Sequence, residues 1–200
     1  MPPNSAPPAD FAKGELPLCV EPAGSVWQRI YHMRHADPLG RAPGLSRFSD
    51  PTGTQFDVVY LGSTAKVAFA EAVLRDRAVG TTEPFLLTMA ELRSYVCADI
   101  ELAEPLNLVD LTGDGRLRLR TPTDVAGAMD QTLARVWSEA FFHHPARADG
   151  VVYPSRLNAE RNIALYDRAL GKLAVRAAPS LMERRDELAA IISDFDLAIA

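Results

Sequence analysis

Four side chains that could bind a ligand or take part in a reaction lie near a predicted strand-to-helix junction within residues 46–71. Arg47 precedes a turn rich in Asp, Pro and Gly, Tyr60 lies in a short apolar run, and Ser63 and Glu71 follow. A guanidinium fork suits phosphate oxygens, an aromatic face suits a flat cation, and a carboxylate stabilises developing positive charge. Together these groups could bind a phosphorylated cofactor and polarise a sugar bond.

Arg29 is a further candidate, and its surroundings allow two interpretations. It lies in the run VWQRIYHMRH, whose alternation predicts a strand that places Arg29 on the same face as Trp27 and Tyr31. An arginine between aromatic residues is either a stacked structural residue or a ligand-binding one. Taken alone, this pattern favours the structural role.

The predicted position of Glu71 is also open to two interpretations. A helix is predicted from Thr64 to Arg77, with Ser63 as its N-cap. Glu71 either pairs with Arg75 on the helix surface or points back across the preceding strand, since helical side chains lean toward the N-terminus.

Ser155 follows a predicted strand at Gly150–Tyr153, and a lone serine after a proline is commonly an ordinary turn residue. The triplet Gly113-Asp114-Gly115 predicts a loop, and Ser180 with Glu183 has the spacing of a capping box at the start of the last helix. The other predicted elements are strands at Tyr95–Leu102, Leu106–Leu111, Asn162–Tyr166 and Lys172–Ala177 and a helix at Asp130–Phe142.

Length and composition predict one soluble domain. The 200 residues divide into a proline-rich arm at 1–24, a central domain at 25–178 and a C-terminal helix at 179–200 packed on that domain. Regular structure is expected to begin at Ser25. The net charge of −5 argues against direct nucleic-acid binding.

The sequence offers no signal for a metal site or a membrane segment. The two cysteines are far apart, and the four histidines form two local pairs without carboxylate or cysteine companions, so we expect no metal. No apolar run reaches membrane-spanning length, and the N-terminus lacks the features of a signal peptide. A reducing, cytoplasmic location is the expectation.

Three segments together resemble the RES domain family, the toxins of bacterial toxin–antitoxin pairs. They are Trp27-x-Arg29, the Arg47-Phe48 stretch through Tyr60 to Glu71, and GVVYPS at 150–155 followed by NIALY at 162–166. The resemblance spans about residues 25–178. Ser49 stands where many members carry Asn, Gly62 replaces the usual Ala, and the loop before Arg47 lacks a doubled glycine.

The resemblance implies an α+β, ADP-ribosyltransferase-like fold in which two small curved sheets pack together, with surrounding helices and an NAD cleft. It implies that NAD is a substrate rather than a cofactor, and that its N-glycosidic bond is cleaved by hydrolysis or phosphorolysis. Glu71, Arg47 and Ser155 would be catalytic, and Arg29, Arg47, Tyr60 and Ser155 would bind NAD. The implied partners are inorganic phosphate, an Xre-type helix-turn-helix antitoxin and further copies of the chain within the toxin–antitoxin complex.

Two alternatives to NAD degradation stay open at this point. The same cleft could transfer ADP-ribose to a macromolecule, or the chain could be a catalytically idle binding module, because a fold does not fix a function.

Overall fold

The computed structural model describes residues 5–41, 45–75, 77 and 84–200, and it shows a mixed α+β chain built on a curled sheet. Residues 1–4 of the predicted arm, and residues 42–44, 76 and 78–83 of the predicted central domain, lie outside the described residues. In the part of the chain that is described, no helix has the length and apolar character needed to cross a membrane.

The described residues form ten strands and six α-helices, with one π-helical turn after α1. The strands are β1 (Leu18–Glu21), β2 (Val26–His32), β3 (Val58–Gly62), β4 (Phe85–Leu87), β5 (Tyr95–Leu102), β6 (Leu106–Asp110), β7 (Gly150–Pro154), β8 (Arg161–Tyr166), β9 (Leu173–Ala177) and β10 (Leu197–Ile199). The helices are α1 (Ala65–Phe69), α2 (Met89–Arg93), α3 (Gly113–Leu119), α4 (Asp124–Gly127), α5 (Thr132–His143) and α6 (Arg185–Asp194).

Eight strands form the main sheet in the order β1-β6-β7-β8-β3-β2-β5-β9, and β4 pairs with β10 separately. The main sheet has two parts, because β3 and β2 meet at a single residue pair, Gln28 with Gly62. By contrast, β2 pairs with β5 along its whole length. The two predicted small sheets therefore occur as two parts of one curled sheet, and the α+β fold class is confirmed.

The central strands are apolar because both of their faces are covered. Strands β7 and β8 are buried along nearly their whole length, so their sequences are almost continuous apolar runs rather than alternating ones. Gly150 begins β7 because there is no room for a side chain: a Cβ there would lie 2.3 Å from the Ala164 carbonyl oxygen. This tight packing brings the two segments that flank Ser155 together.

Two sequence predictions about regular structure are wrong. Structure begins before Ser25, because residues 18–21 lie between Pro17 and Pro22 and keep the backbone donors that pair β1 with β6. The predicted loop at residues 113–115 is instead the first turn of α3. Only Gly113 has the positive φ typical of a turn, at 41°, and the residues after it are compatible with a helix. The predicted capping box at Ser180 and Glu183 is present, but it caps a short 3-10 turn, Leu181–Glu183, and the last helix begins separately at Arg185.

The segment that carries Arg47 is fixed through its neighbour Phe48. The Phe48 side chain is fully buried, its backbone N–H donates to the Tyr60 hydroxyl at 2.9 Å, and its carbonyl accepts from Ser138 Oγ at 2.7 Å. Ser49 Oγ closes the same turn, because it accepts from the Ser46 N–H and donates to the Ser46 carbonyl, both at 2.9 Å. Arg47 is therefore presented from a rigid backbone.

The turn that follows depends on the buried carboxylate of Asp50. It accepts backbone N–H bonds from Thr52, Thr54 and Gln55 at 2.5 to 2.9 Å, and a further bond from the Thr52 hydroxyl. Burial opposes ionisation of this carboxyl, but the hydrogen bonds to its charged form outweigh it and lower its pKa from 3.8 to about 2.

We predict that Asp50→Asn lowers the free energy of unfolding by about 2 kcal/mol at neutral pH. Since the folded pKa is depressed, the ionised form stabilises the protein above pH 3.8, and that contribution is lost as the pH falls toward 2. Urea unfolding of both proteins from pH 6 to pH 2 should show the difference shrinking below about pH 4. The control is Asp114→Asn, at an exposed position. A difference that did not depend on pH would contradict this assignment.

Candidate active site

Glu71 reaches the centre of the molecule because of how its helix begins. Helix α1 is capped by Thr64, whose hydroxyl accepts from the Val67 N–H at 3.2 Å, and not by Ser63 as the sequence predicted. The Ser63 N–H instead donates to the Arg161 carbonyl, so Ser63 still belongs to the pairing of β3 with β8. After Phe69 the helix continues as a π-helical turn, Ala70–Leu74, and π-helical turns often occur at functional sites.

The carboxylate of Glu71 is held by two residues from the far side of the sheet. Its Oε1 accepts from Ser155 Oγ at 2.8 Å and from Asn162 Nδ2 at 3.2 Å. Within the described residues Oε2 has no hydrogen-bond partner, so one oxygen orients the group and the other is available to a ligand. Glu71 therefore points back across β3 toward β8, as in the second of the two predicted interpretations.

Gly62 allows α1 to lie this close to the sheet. A Cβ at this position would lie 2.8 Å from the Ala68 backbone nitrogen and 2.7 Å from Val67 Cγ1. An added methyl group would therefore require a shift of the helix that carries Glu71. The departure from the usual Ala at this position is consistent with the close packing found here.

Glu71 faces a cleft of about 180 Å³ whose lining is strongly cationic. Among the described lining residues, four arginines stand against one carboxylate, that of Glu71, in a chain whose overall charge is −5. Such a concentration of guanidinium groups favours a ligand with more than one negative charge. The four arginines are Arg29, Arg47, Arg75 and Arg156.

Arg47 is the most deeply placed of these groups. Its residue is 6% exposed, and its Nη2 donates to the Ala128 carbonyl at 2.8 Å. Its buried Nη1 has no partner within the described residues. Burial and the nearby charge of Arg156 lower the Arg47 pKa, since both disfavour the charged form. A buried guanidinium nitrogen without an acceptor lowers the stability of the folded protein, and an anionic ligand oxygen would supply the missing hydrogen-bond acceptor.

Arg29 makes different contacts and supports the cleft wall. Its Nη1 donates to the Pro38 carbonyl at 2.6 Å and its Nη2 to the Gly40 carbonyl at 2.5 Å. Its guanidinium carbon lies 5.7 Å from the centre of the Tyr31 ring. Arg29 thus lines the cleft and also fixes the loop after β2, so the two interpretations of this residue are not exclusive.

Tyr60 lines the cleft, and its hydroxyl is bonded within the protein. The hydroxyl lies 2.8 Å from Ser46 Oγ and accepts from the Phe48 N–H, so it is occupied by the Arg47 segment. Burial raises the Tyr60 pKa, and the hydroxyl stays protonated. An aromatic face held in this way is suited to a flat cationic ring.

The structure brings together the residues predicted from the sequence and adds others. Arg29, Arg47, Tyr60 and Glu71 all line one cleft, and Ser155 contacts it through its bond to Glu71. The additional lining residues include four polar ones, Gln28, Gln131, Tyr153 and Asn162. Tyr153 and Asn162 lie in the third sequence segment singled out above, whereas nothing in the sequence pattern marks Gln28 or Gln131. The described residues contain no group of three or more His, Cys, Asp or Glu that could hold a metal ion.

A family model described as the RES domain matches residues 25–186, which is most of the chain. The chain belongs to the RES domain family. A RES domain relative, "Probable toxin y4kH" of Sinorhizobium fredii, is 48% identical over 126 residues, covering 63% of this chain and 99% of the relative.

The RES domain fold is also found in a solved structure, the M. tuberculosis MbcT–MbcA toxin–antitoxin complex. The TM-score is 0.62, the sequence identity is 19%, and the match covers 85% of this chain and 92% of that chain. This likeness shows that the two chains share a fold.

The contrasting contacts of the two cleft arginines predict opposite effects of the same substitution. Arg29→Met should lower the free energy of unfolding by about 1 to 3 kcal/mol, because two carbonyls lose charged donors. Arg47→Met should leave stability unchanged or raise it, because an incompletely bonded buried charge is replaced by an apolar group of similar length. Chemical denaturation of the two variants without ligand measures both effects. Equal losses would contradict the different roles assigned to the two arginines.

Proposed function

We propose that this chain is the toxin of a toxin–antitoxin pair and that it cleaves the N-glycosidic bond of NAD, releasing nicotinamide. The observation that carries the proposal is the pairing of an oriented carboxylate with buried cationic groups in one cleft. Glu71 has a carboxylate oxygen available, and Arg47 has a buried donor without an acceptor. NAD offers both partners, a ribose that becomes cationic and a pyrophosphate that is anionic.

The arginines would bind the pyrophosphate. A pyrophosphate carries two negative charges and presents several oxygens, which match guanidinium forks better than they match an ammonium group. Arg47 contributes its unpaired Nη1, and Arg29 adds charge to the same cleft. The acidic character of the whole chain does not oppose this, because the local field within the cleft is positive.

Glu71 would act where positive charge develops. When the bond between ribose C1′ and the nicotinamide nitrogen breaks, its electron pair leaves with nicotinamide, and the ribose passes through an oxocarbenium-like state. The free oxygen of Glu71 stabilises that charge or binds the ribose hydroxyls, while Ser155 holds the other oxygen. Water, which then loses a proton, or inorganic phosphate would capture the ribosyl carbon.

The ring of Tyr60 would face the nicotinamide. Nicotinamide in NAD is a flat cation, and its attraction to an aromatic face is greatest where water is excluded. Because the Tyr60 hydroxyl is bonded to the Arg47 segment, the orientation of this ring and the position of the guanidinium are linked.

The toxin assignment is supported by the relatives. The Sinorhizobium fredii relative bears the name of a probable toxin, and the chain covers almost all of it. The structural neighbour was solved in a complex of a toxin with its antitoxin. We therefore propose an Xre-type helix-turn-helix antitoxin as the partner of this chain, in a complex that contains further copies of the chain.

We predict that Glu71→Gln lowers kcat for nicotinamide release by a hundredfold or more, because the neutral amide cannot stabilise a cation. The fold and the Kd for NAD should change little, since the amide oxygen can still accept from Ser155 and Asn162. Nicotinamide release from NAD alone, with and without phosphate, measures the effect. Glu139→Gln, at a carboxylate that bonds Gln55 outside the cleft, is the control. Near-normal release by Glu71→Gln would contradict the assignment, and release only with an added macromolecule would favour ADP-ribosyl transfer.

A second prediction concerns cells. Expression of the chain alone should arrest growth and lower cellular NAD, whereas the Glu71→Gln variant expressed at the same level should do neither. Co-expression of a helix-turn-helix protein encoded beside this gene should restore growth, and the purified complex should cleave little NAD. If growth and cellular NAD were unaffected by the active chain, the binding-module alternative would be preferred.

A further inference from the structure

Tyr153 is a cleft residue whose hydroxyl is not used by the protein. It lies near the end of β7, two residues before Ser155, and it lines the cleft with only 6% of its residue surface exposed. Within the described residues its hydroxyl has no hydrogen-bond partner, unlike the hydroxyls of Tyr60 and Tyr166. Because Tyr153 Oη is not among the described buried atoms that lack a partner, this hydroxyl is accessible from the cleft and available to a ligand.

The ring of Tyr153 is held firmly although its hydroxyl is free. Phe48 packs against it edge to face, with ring centres 4.8 Å apart. Since Phe48 is itself bonded through both of its backbone groups, the residue that follows Arg47 positions the Tyr153 ring. The position of the hydroxyl is therefore fixed by the packing of the ring rather than by a hydrogen bond.

The charges around Tyr153 favour a role as a donor. Its phenol interacts electrostatically with Arg47 and with Glu71, the two groups that carry the proposed chemistry. Burial and the nearby Glu71 charge raise the Tyr153 pKa well above its ordinary value, so the hydroxyl remains protonated at neutral pH. The protonated Tyr153 hydroxyl is a hydrogen-bond donor, and so is Arg47 Nη1, which has no acceptor within the described residues. Both donors require an acceptor such as an anionic oxygen.

We propose that the Tyr153 hydroxyl donates a hydrogen bond to a phosphoryl oxygen of the bound ligand, beside the oxygen held by Arg47 Nη1. The proposal rests on the proposed function in that NAD supplies the pyrophosphate. It makes Tyr153 a substrate-binding residue that does not take part in bond cleavage. The bond is charge-assisted, because the phosphoryl oxygen is anionic, and such bonds are stronger than those between neutral groups.

The test is Tyr153→Phe, which removes only the hydroxyl and keeps the ring that packs on Phe48. We expect its Kd for ADP-ribose and for inorganic pyrophosphate to rise by tenfold or more, measured by calorimetry. In steady-state cleavage of NAD, KM should rise while kcat changes little, since a contact made equally in the ground and transition states affects binding alone. The melting temperature should stay near that of the wild type.

Tyr166→Phe is the matched control. Tyr166 is fully buried on the neighbouring strand, and its hydroxyl lies 3.2 Å from Ser138 Oγ, outside the cleft. This variant should lose stability and keep its affinity for both ligands. An unchanged Kd for ADP-ribose in Tyr153→Phe would overturn the proposal, and so would a wild-type protein that binds neither ligand. A loss of affinity for ADP-ribose without a loss of affinity for pyrophosphate would also overturn the proposal, because the hydroxyl would then contact the sugar.

These measurements separate the inference from the proposed function. ADP-ribose and pyrophosphate contain no N-glycosidic bond to nicotinamide, so their binding does not depend on catalysis. A protein that binds both through Tyr153 but releases no nicotinamide from NAD would support the phosphoryl contact and contradict the proposed reaction.

Discussion

The hydrogen bonds from Ser155 and Asn162 to one oxygen of Glu71 are the interactions on which the candidate site depends. They join three parts of the chain, namely the π-helical turn after α1, the end of β7 and the start of β8. Because two donors occupy the same oxygen, the carboxylate has a fixed orientation before any ligand arrives. Preorganised charge of this kind avoids the reorganisation that would otherwise add to a reaction barrier.

The cationic side of the cleft differs, because the described part of the protein leaves one of its hydrogen-bond donors unsatisfied. Glu71 is fully oriented by the protein, whereas Arg47 is left with a buried nitrogen that the protein does not satisfy. Such a group costs stability when no ligand is bound, and natural proteins retain that cost mainly at functional sites. The cleft therefore combines a carboxylate that the protein already orients through one oxygen and a guanidinium whose buried nitrogen requires a ligand.

Most strands were predictable because their apolar patterns are local, whereas the candidate site residues came from the resemblance of whole segments to the RES domain family. The central strands are long apolar runs, and Arg47, Glu71 and Ser155 lie in recognisable segments. The remaining features, namely the helix cap, the contacts of Arg29 and the additional cleft residues, depend on tertiary contacts. Thr64 replaces Ser63 as the cap because Ser63 pairs with Arg161, and Arg29 bonds a loop whose path no pattern specifies. Gln28 and Gln131 enter the cleft through sheet and helix packing alone. The pairing of β2 with β3 at one residue pair likewise has no local signature.

The position of β8 has a consequence for how the protein is made. This strand lies between β7 and β3, so β3 joins the sheet fully only after residues 161–166 have been synthesised. Asn162 comes from the same strand, and Ser155 comes from the connection just before it. A ribosome must therefore translate as far as Asn162 before the carboxylate of Glu71 can be oriented. Nascent and prematurely terminated chains lack the assembled cleft, and the timing of translation itself delays the appearance of a competent site.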